Sequence, residues 1–381
     1  MLVKIAVLSI SILLISFVSV SGVFPTLAVD LGLTQMQSEL LMTIPAIAVI
    51  IFIFIANALV KRIGMKKLVI IGMLTASIAG IFPAFVQSFT PILISRFFLG
   101  AGAGLVNTWA VRYITLLFEP KESATLMGFR SSVEIFGQMV VAALAGVLFR
   151  FGWHISFLAY AIGFISVGLI GFFLPDVKLP PTPSGEQTSD RMPFVIYLLA
   201  AFCAVIVITA AGIAFRFPAM ATAVRGTAYN PNIMMATWPI LSIAAALTYG
   251  KLSLLLGKKL LYIALSILII ASFMTGFSAD NYWMLIVALF LHGVVPAWLF
   301  PFIFMTAAKI TTGRQQSTAF SYIVIGIKAG VFLIPFIVSL IETIFVTTDL
   351  TAPYRVLGFV LVLAMILIAA VGNKIIKKAY L

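Results

Sequence analysis

Apolar runs of about twenty residues follow one another through almost the whole chain, each long enough to cross a hydrocarbon core of about 30 Å as a helix. Only 9% of the 381 residues are charged and 63% are hydrophobic, whereas a soluble domain carries roughly 25% charged residues to cover its surface. The pattern excludes a soluble globular fold. The strict alternation of polar and apolar residues that a membrane barrel requires is absent, and unpaired backbone cannot face lipid, so the runs must be helices.

Breaks at charged or Pro/Gly-rich positions place spans near 5–29, 38–60, 68–87, 91–113, 124–148 and 153–174, then near 193–217, 232–254, 259–278, 282–308, 315–341 and 354–373. Pro180, Pro181, Pro183 and Gly185 lie among charged residues between the two sets, a composition that neither packs nor propagates a helix. The expected fold is all-α and integral to the membrane. It has twelve transmembrane helices as two pseudo-symmetric six-helix bundles, residues 1–174 and 193–381, joined by a linker at 175–192. Lys4, the apolar stretch after it and Ser19-Val20-Ser21-Gly22 also fit a secretory leader. The run exceeds the usual 7–15 residues and another span follows, so it is read as the first helix.

The formal net charge of +13 would suggest nucleic acid in a soluble protein, but its distribution explains it otherwise. Of 24 lysines and arginines, 17 fall at the two termini and in alternate loops, including Lys61, Arg62, Lys66 and Lys67, and four (Arg150, Arg216, Arg225, Arg355) fall on the opposite side. The positive-inside rule then puts both termini and the linker in the cytoplasm, with the bacterial inner (plasma) membrane as the expected location and no nucleic-acid partner. A single cysteine, Cys203, and two histidines leave no disulfide framework and no metal-ligand spacing. No phosphate-cradling G-x-x-x-x-G-K-[ST] loop and no activated nucleophile motif occurs, so neither ATP-driven pumping nor enzymatic catalysis is expected.

A shift of 193 residues superimposes Gly64 on Gly257, Gly100 on Gly293 and Gly137 on Gly330, with Leu59/Leu252 and Lys66/Lys259 matching around the first pair. The halves read as parallel copies. Such copies can rock about a central site near the midplane, the geometry of alternating access.

Particular residues resemble one family. The turn from Asn57 to Lys67, N-A-L-V-K-R-I-G-M-K-K, is similar to the G-x-L-a-D-r-x-G-r-k signature of the major facilitator superfamily of secondary transporters, with Asn57 in place of its first glycine and Lys61 in place of its acid. Arg96 to Gly104, R-F-F-L-G-A-G-A-G, resembles the family's R-x-x-q-G-x-g motif, and Gly152-Trp153-His154 its G-W-R/H motif. Helix 5 has Gly137-Gln138-Met139 where the antiporter motif places a glycine-proline pair. The resemblance implies a gating role for Leu59, Arg62, Gly64 and Lys66 and an association of Arg96 with proton coupling.

Ionisable groups inside spans are costly unless they face a cavity or a partner. Arg130, Glu134 and Gln138 recur at i, i+4 and i+8 and form one polar stripe on helix 5. Two readings apply to it: a static ion pair, or a Glu134 that exchanges a proton as its partner changes. Lys328 lies at mid-span on helix 11, where it meets either a substrate anion or an acid on another helix, and Asn107 shares a face of helix 4 with Arg96. His292 on helix 10 titrates near neutrality in water and is a coupling candidate, or else a neutral hydrogen-bonded core residue. Trp298 offers an aromatic face to a substrate. Three mid-membrane bases against one acid favour an anionic or zwitterionic solute. The expectation is a monomeric, proton-coupled secondary transporter of a small organic molecule, without a cofactor and with the proton gradient as driving force. The alternative is proton-driven export of amphipathic, drug-like compounds. Substrate contacts are expected from Arg130, Lys328, Asn107 and Trp298, and coupling from Glu134, His292 and Arg96.

Overall fold

The computed structural model describes residues 1–177, 192–226, 229–311 and 313–372. The expected linker falls almost wholly outside the described residues, as do Lys374, Lys377 and Lys378. Eleven helices among the described residues are long and apolar enough to cross a membrane. They include α3 (Gln35–Ile63), α4 (Met65–Ile81), α5 (Phe89–Leu117), α6 (Pro120–Leu148) and α7 (Ile162–Phe173, led in by a 3-10 segment from Ile155). The second set comprises α8 (Phe194–Arg225), α9 and α10 (Asn232–Thr237 and Pro239–Leu256, broken at Trp238), α11 (Lys259–Gly276), α12 (Tyr282–Ile310), α13 (Gly313–Ile344) and α14 (Pro353–Leu367).

The first span departs from expectation. It is not one helix over 5–29: α1 (Leu2–Ser9) gives way to turns and two short 3-10 segments before α2 (Phe24–Leu31). Serines explain part of the break, because their hydroxyls compete for backbone carbonyls. Ser9 Oγ donates to the Ala6 carbonyl and Ser16 Oγ to the Leu13 carbonyl, both at 2.9 Å. Irregular backbone at membrane depth survives only where protein covers it, and Ser11, Ser16, Ser19 and Ser21 are all buried.

Elsewhere the local chemistry fits the helices. Thr34 and Gln37 form a reciprocal capping box at the start of α3, Asn281 caps α12 through the Met284 N–H, and prolines occupy the first turns of α6, α10 and α14.

The chain divides into two compact units, residues 1–186 with 230–237, and 187–229 with 238–381. The short helix α9 therefore groups with the first unit, where the Asn230 side chain donates to the Gly146 carbonyl at 3.1 Å. Within each unit the glycines related by the 193-residue shift do matching work. Gly64 and Gly257 both end a helix with positive φ, +80° and +50°, which β-carbon sterics disfavour in other residues. A methyl group added at Gly100 would lie 2.2 Å from the Pro45 carbonyl oxygen; at Gly293 it would meet the Trp238 ring at 2.7 Å, and Trp238 lies 193 residues after Pro45. Gly137 meets the Ile12 carbonyl, and Gly330 meets the Ala204 backbone, one residue from the position that repeats Ile12. Small residues thus permit close packing at equivalent places in both units, against backbone at Gly100, Gly137 and Gly330 and against side chains at Gly293, where dispersion rather than water exclusion must hold the elements together.

Candidate functional site

In the first unit, the centre of α6 carries an ion pair. Arg130 Nη2 lies 2.6 Å from Glu134 Oε1, and the two side chains are only 16% and 18% exposed. The i, i+4 spacing brings them together on one face, which Gln138, half-buried, continues one turn further on. Arg130 Nε is buried with no hydrogen-bond partner among the described residues, so the guanidinium keeps a donor that a further anion could use.

Arg96 is fully buried on α5, and its partners are neutral. Nε donates to the Leu41 carbonyl at 3.0 Å, Nη1 to the Tyr160 hydroxyl at 3.1 Å, and Nη2 to the Phe17 carbonyl. Each acceptor has a reason to need a donor. Leu41 is four residues before Pro45, whose nitrogen has no hydrogen to give it, and Phe17 belongs to the broken first span. Tyr160 in turn donates to the Ser16 carbonyl at 2.8 Å. The Arg96–Gly100 spacing therefore serves one proline: Arg96 satisfies the carbonyl that Pro45 frees, and Gly100, one turn on, leaves room for the Pro45 backbone itself. Asn107, two turns beyond Gly100, is half-buried.

The turn between α3 and α4 places Gly64 at the joint, with Leu59 and Lys66 half-buried and Arg62 exposed. At the other end of the unit, Trp153 Nε1 donates to Asp30 Oδ2 at 2.7 Å. That bond ties the Gly152-Trp153-His154 corner to the end of α2.

In the second unit, Lys328 is half-buried at the centre of α13. His292 on α12 is fully buried; Nδ1 lies 2.8 Å from the Ala288 carbonyl, its ring stands edge-on to Tyr354 at 6.2 Å, and Nε2 has no partner among the described residues. Trp298 uses its N–H within the unit, donating to the Ala245 carbonyl at 2.9 Å, with Thr248 Oγ1 at 3.2 Å. This leaves only its ring face to offer a ligand.

Three charged residues in the helices escaped the sequence reading. The seventh span was expected to end at 217, before Pro218, but α8 runs through the proline to Arg225. Arg216 therefore lies well inside the helix and not at its end, 1% exposed and paired bidentately with Glu342 at 2.6 and 3.2 Å. Glu342 belongs to α13, which outlasts its expected end at 341. Glu39, one turn into α3, is buried and accepts from the Gln35 side chain at 2.9 Å. Apolar residues continuing past Pro218 were the signal for Arg216; Glu39 gave none beyond its place inside the expected span.

The sequence model of the Major Facilitator Superfamily matches residues 6–228. Sugar transport protein 10 of Arabidopsis thaliana is 27% identical over 150 residues, covering 38% of this chain and 29% of that protein. An uncharacterized protein of Campylobacter jejuni is 28% identical over 149 residues, 39% of this chain and 46% of that protein. The chain thus spans less than half the length of the curated relatives it matches. Among solved structures, the peptide transporter POT in complex with alafosfalin superimposes with a TM-score of 0.77 at 13% identity, covering 98% of this chain and 95% of that one. The xylose transporter XylE from E. coli gives 0.74 at 14% identity over 95% and 94%. At such identities the likeness concerns the fold.

Proposed function

The chain belongs to the major facilitator superfamily, and on that premise we propose that it is a proton-coupled secondary transporter of a small anionic or zwitterionic organic solute, working by alternating access. The observation that carries this reading is the Arg130–Glu134 pair at the centre of α6, shielded to 16% and 18% exposure. A charged pair at mid-membrane costs several kcal/mol that an apolar pair would not, and titration supplies a use for it. Ionised Glu134 occupies Arg130; a protonated Glu134 releases the guanidinium to bind a substrate carboxylate. Proton and anion then travel as a neutral pair. Arg130 Nε, already without a partner among the described residues, and Lys328 at the centre of α13 add positive potential. His292 is the second coupling candidate because its Nε2 is equally unengaged.

In this reading Arg130, Lys328, Asn107 and the Trp298 ring contact the solute. Arg96 serves coupling only indirectly, by holding the broken first span beside α5. Leu59, Arg62, Gly64 and Lys66 form the turn that changes as the halves rock. A xylose–proton symporter and a peptide transporter share the fold, which supports a small polar solute. The protein acts as a monomer in the bacterial inner membrane with both termini cytoplasmic, as its basic loops favour, and the proton gradient replaces any cofactor. Export of amphipathic cations by proton antiport would need Glu134 as counter-ion to the drug, in competition with Arg130.

Reconstituted vesicles with an imposed pH gradient distinguish the two. Uptake of carboxylate solutes that Lys328→Ala and Arg130→Gln abolish supports the proposal. Movement of lipophilic cations that carboxylates do not inhibit, lost in Glu134→Gln, would transfer the assignment to the exporter.

A further inference from the structure

A groove of about 600 Å³, with no charged residue among those that line it, runs between α4 and α5 in the first unit. Its walls are large side chains turned outward: Ile71, Ile78 and Phe82 are 45%, 57% and 41% exposed, and Ile94 and Phe98 of the facing helix 52% and 46%. Its floor is small, with Ala79 and Ser95 nearly inaccessible. Three hydroxyl residues line it: Thr75 donates to the Ile71 carbonyl at 2.8 Å and Ser95 to the Ile92 carbonyl at 2.7 Å, both turned inward on their own backbones, and Thr90 is exposed at the start of α5. The groove therefore offers an occupant almost no hydrogen bonds, and it lies on two membrane-crossing helices.

Its length and its charged end select that occupant. From Ile71 to Phe82 the groove follows α4 for about 16 Å at 1.5 Å per residue, about half of a 30 Å hydrocarbon core and so the depth of one acyl chain. The same stripe, at i, i+4, i+8, i+11 and i+15, begins with Lys67, about 6 Å beyond Ile71 and exposed. Lys61 and Arg62 are exposed in the same turn. No acidic residue occurs between Glu39 and Glu119. Lys61 also stands where the resembled motif has its acid, so this turn carries positive charge without the counter-charge that the motif would supply.

We propose that the α4–α5 groove and the Lys61–Lys67 turn form a binding site for one anionic phospholipid, with an acyl chain between the helices and the headgroup phosphate on Lys67, flanked by Lys61 and Arg62. Clusters of lysine and arginine at the membrane surface recruit anionic lipids in this way, and here a shaped apolar channel begins one helical turn from the charge.

The test is native mass spectrometry of the full-length protein released from vesicles of phosphatidylglycerol and phosphatidylcholine with identical acyl chains. The wild type should retain one phosphatidylglycerol in preference to phosphatidylcholine. Lys67→Gln, at an exposed position, should lower that preference about fivefold, the value of one basic residue near an anionic surface. Thr75→Phe and Ile78→Trp, which fill the groove in two ways, should each reduce retention of both lipids in protein that stays monodisperse. Equal retention of the two lipids by the wild type, or retention unchanged by the groove-filling variants, would overturn the proposal. So would a dimer that these variants dissociate, since the groove would then be covered by a second copy of the chain.

Discussion

Replacing Arg96 by methionine removes a fully buried cation whose three hydrogen bonds all go to neutral oxygens. The Tyr160 hydroxyl keeps its own hydrogen bond to the Ser16 carbonyl and loses little. The Leu41 carbonyl loses the donor that stands in for the missing N–H of Pro45, and the Phe17 carbonyl loses its Arg96 donor in the broken first span. At about 1–3 kcal/mol for each buried acceptor deprived of its donor, the two together cost about 2–6 kcal/mol. Relief from burying a guanidinium offsets part of this, so a net loss of about 2–3 kcal/mol is expected. Pro45→Ala restores a helical N–H to the Leu41 carbonyl. In that background Arg96→Met should therefore cost about 1–3 kcal/mol less than in the wild type. Unfolding of the four proteins in mixed micelles by graded addition of a denaturing detergent measures the cycle. Strict additivity would refute the link between Arg96 and the proline. Unchanged stability of Arg96→Met together with lost gradient-driven transport would refute the structural role altogether and place Arg96 in coupling.

Four further outcomes are expected. Gly100→Ala puts a methyl group 2.2 Å from the Pro45 carbonyl oxygen, a backbone atom that cannot turn aside, and should destabilise by about 1–3 kcal/mol. Gly168→Ala, in α7 where a methyl group meets nothing within 4 Å, should be neutral or stabilising by up to about 1 kcal/mol, and the same micelle titration compares the two. Glu342→Ala leaves the Arg216 cation, 1% exposed, without its bidentate carboxylate and should cost about 3 kcal/mol; a double cycle with Arg216→Met that shows no coupling would remove the pair from the account. Trp153→Phe keeps the packing on Phe157 at 6.3 Å between ring centres but loses the N–H to Asp30. It should lower stability by about 1–2 kcal/mol, and Asp30→Ala should add nothing to it.

Residues differ in how much of their role can be read before the fold is known. The helices were legible because length and apolarity alone decide what crosses a bilayer, and the repeated glycines marked real constraints: Gly100/Gly293 and Gly137/Gly330 sit at close contacts that a side chain would fill, and Gly64/Gly257 end helices with positive φ. The Arg130–Glu134 pair was legible from helical spacing. The break in the first span was hidden: its carbonyls are satisfied by Arg96 and Tyr160, which lie 79 and 144 residues away along the chain from Phe17 and Ser16. No local pattern announces such distant donors. Arg216 was misplaced for the converse reason, since Pro218 looks like a stop in sequence, whereas a membrane helix passes through proline when its neighbours satisfy the freed carbonyl.

The central claim, that Glu134 carries the coupling proton, is tested most directly by comparing two fluxes in the same vesicles. One is exchange of a labelled carboxylate solute at equal pH on both sides; the other is its accumulation against a concentration gradient when only a pH gradient is imposed. Glu134→Gln retains size and hydrogen bonding but cannot titrate, so it should still exchange solute and should no longer accumulate it. Accumulation at the wild-type level in Glu134→Gln would contradict the account and leave the Arg130–Glu134 pair as a structural element of α6.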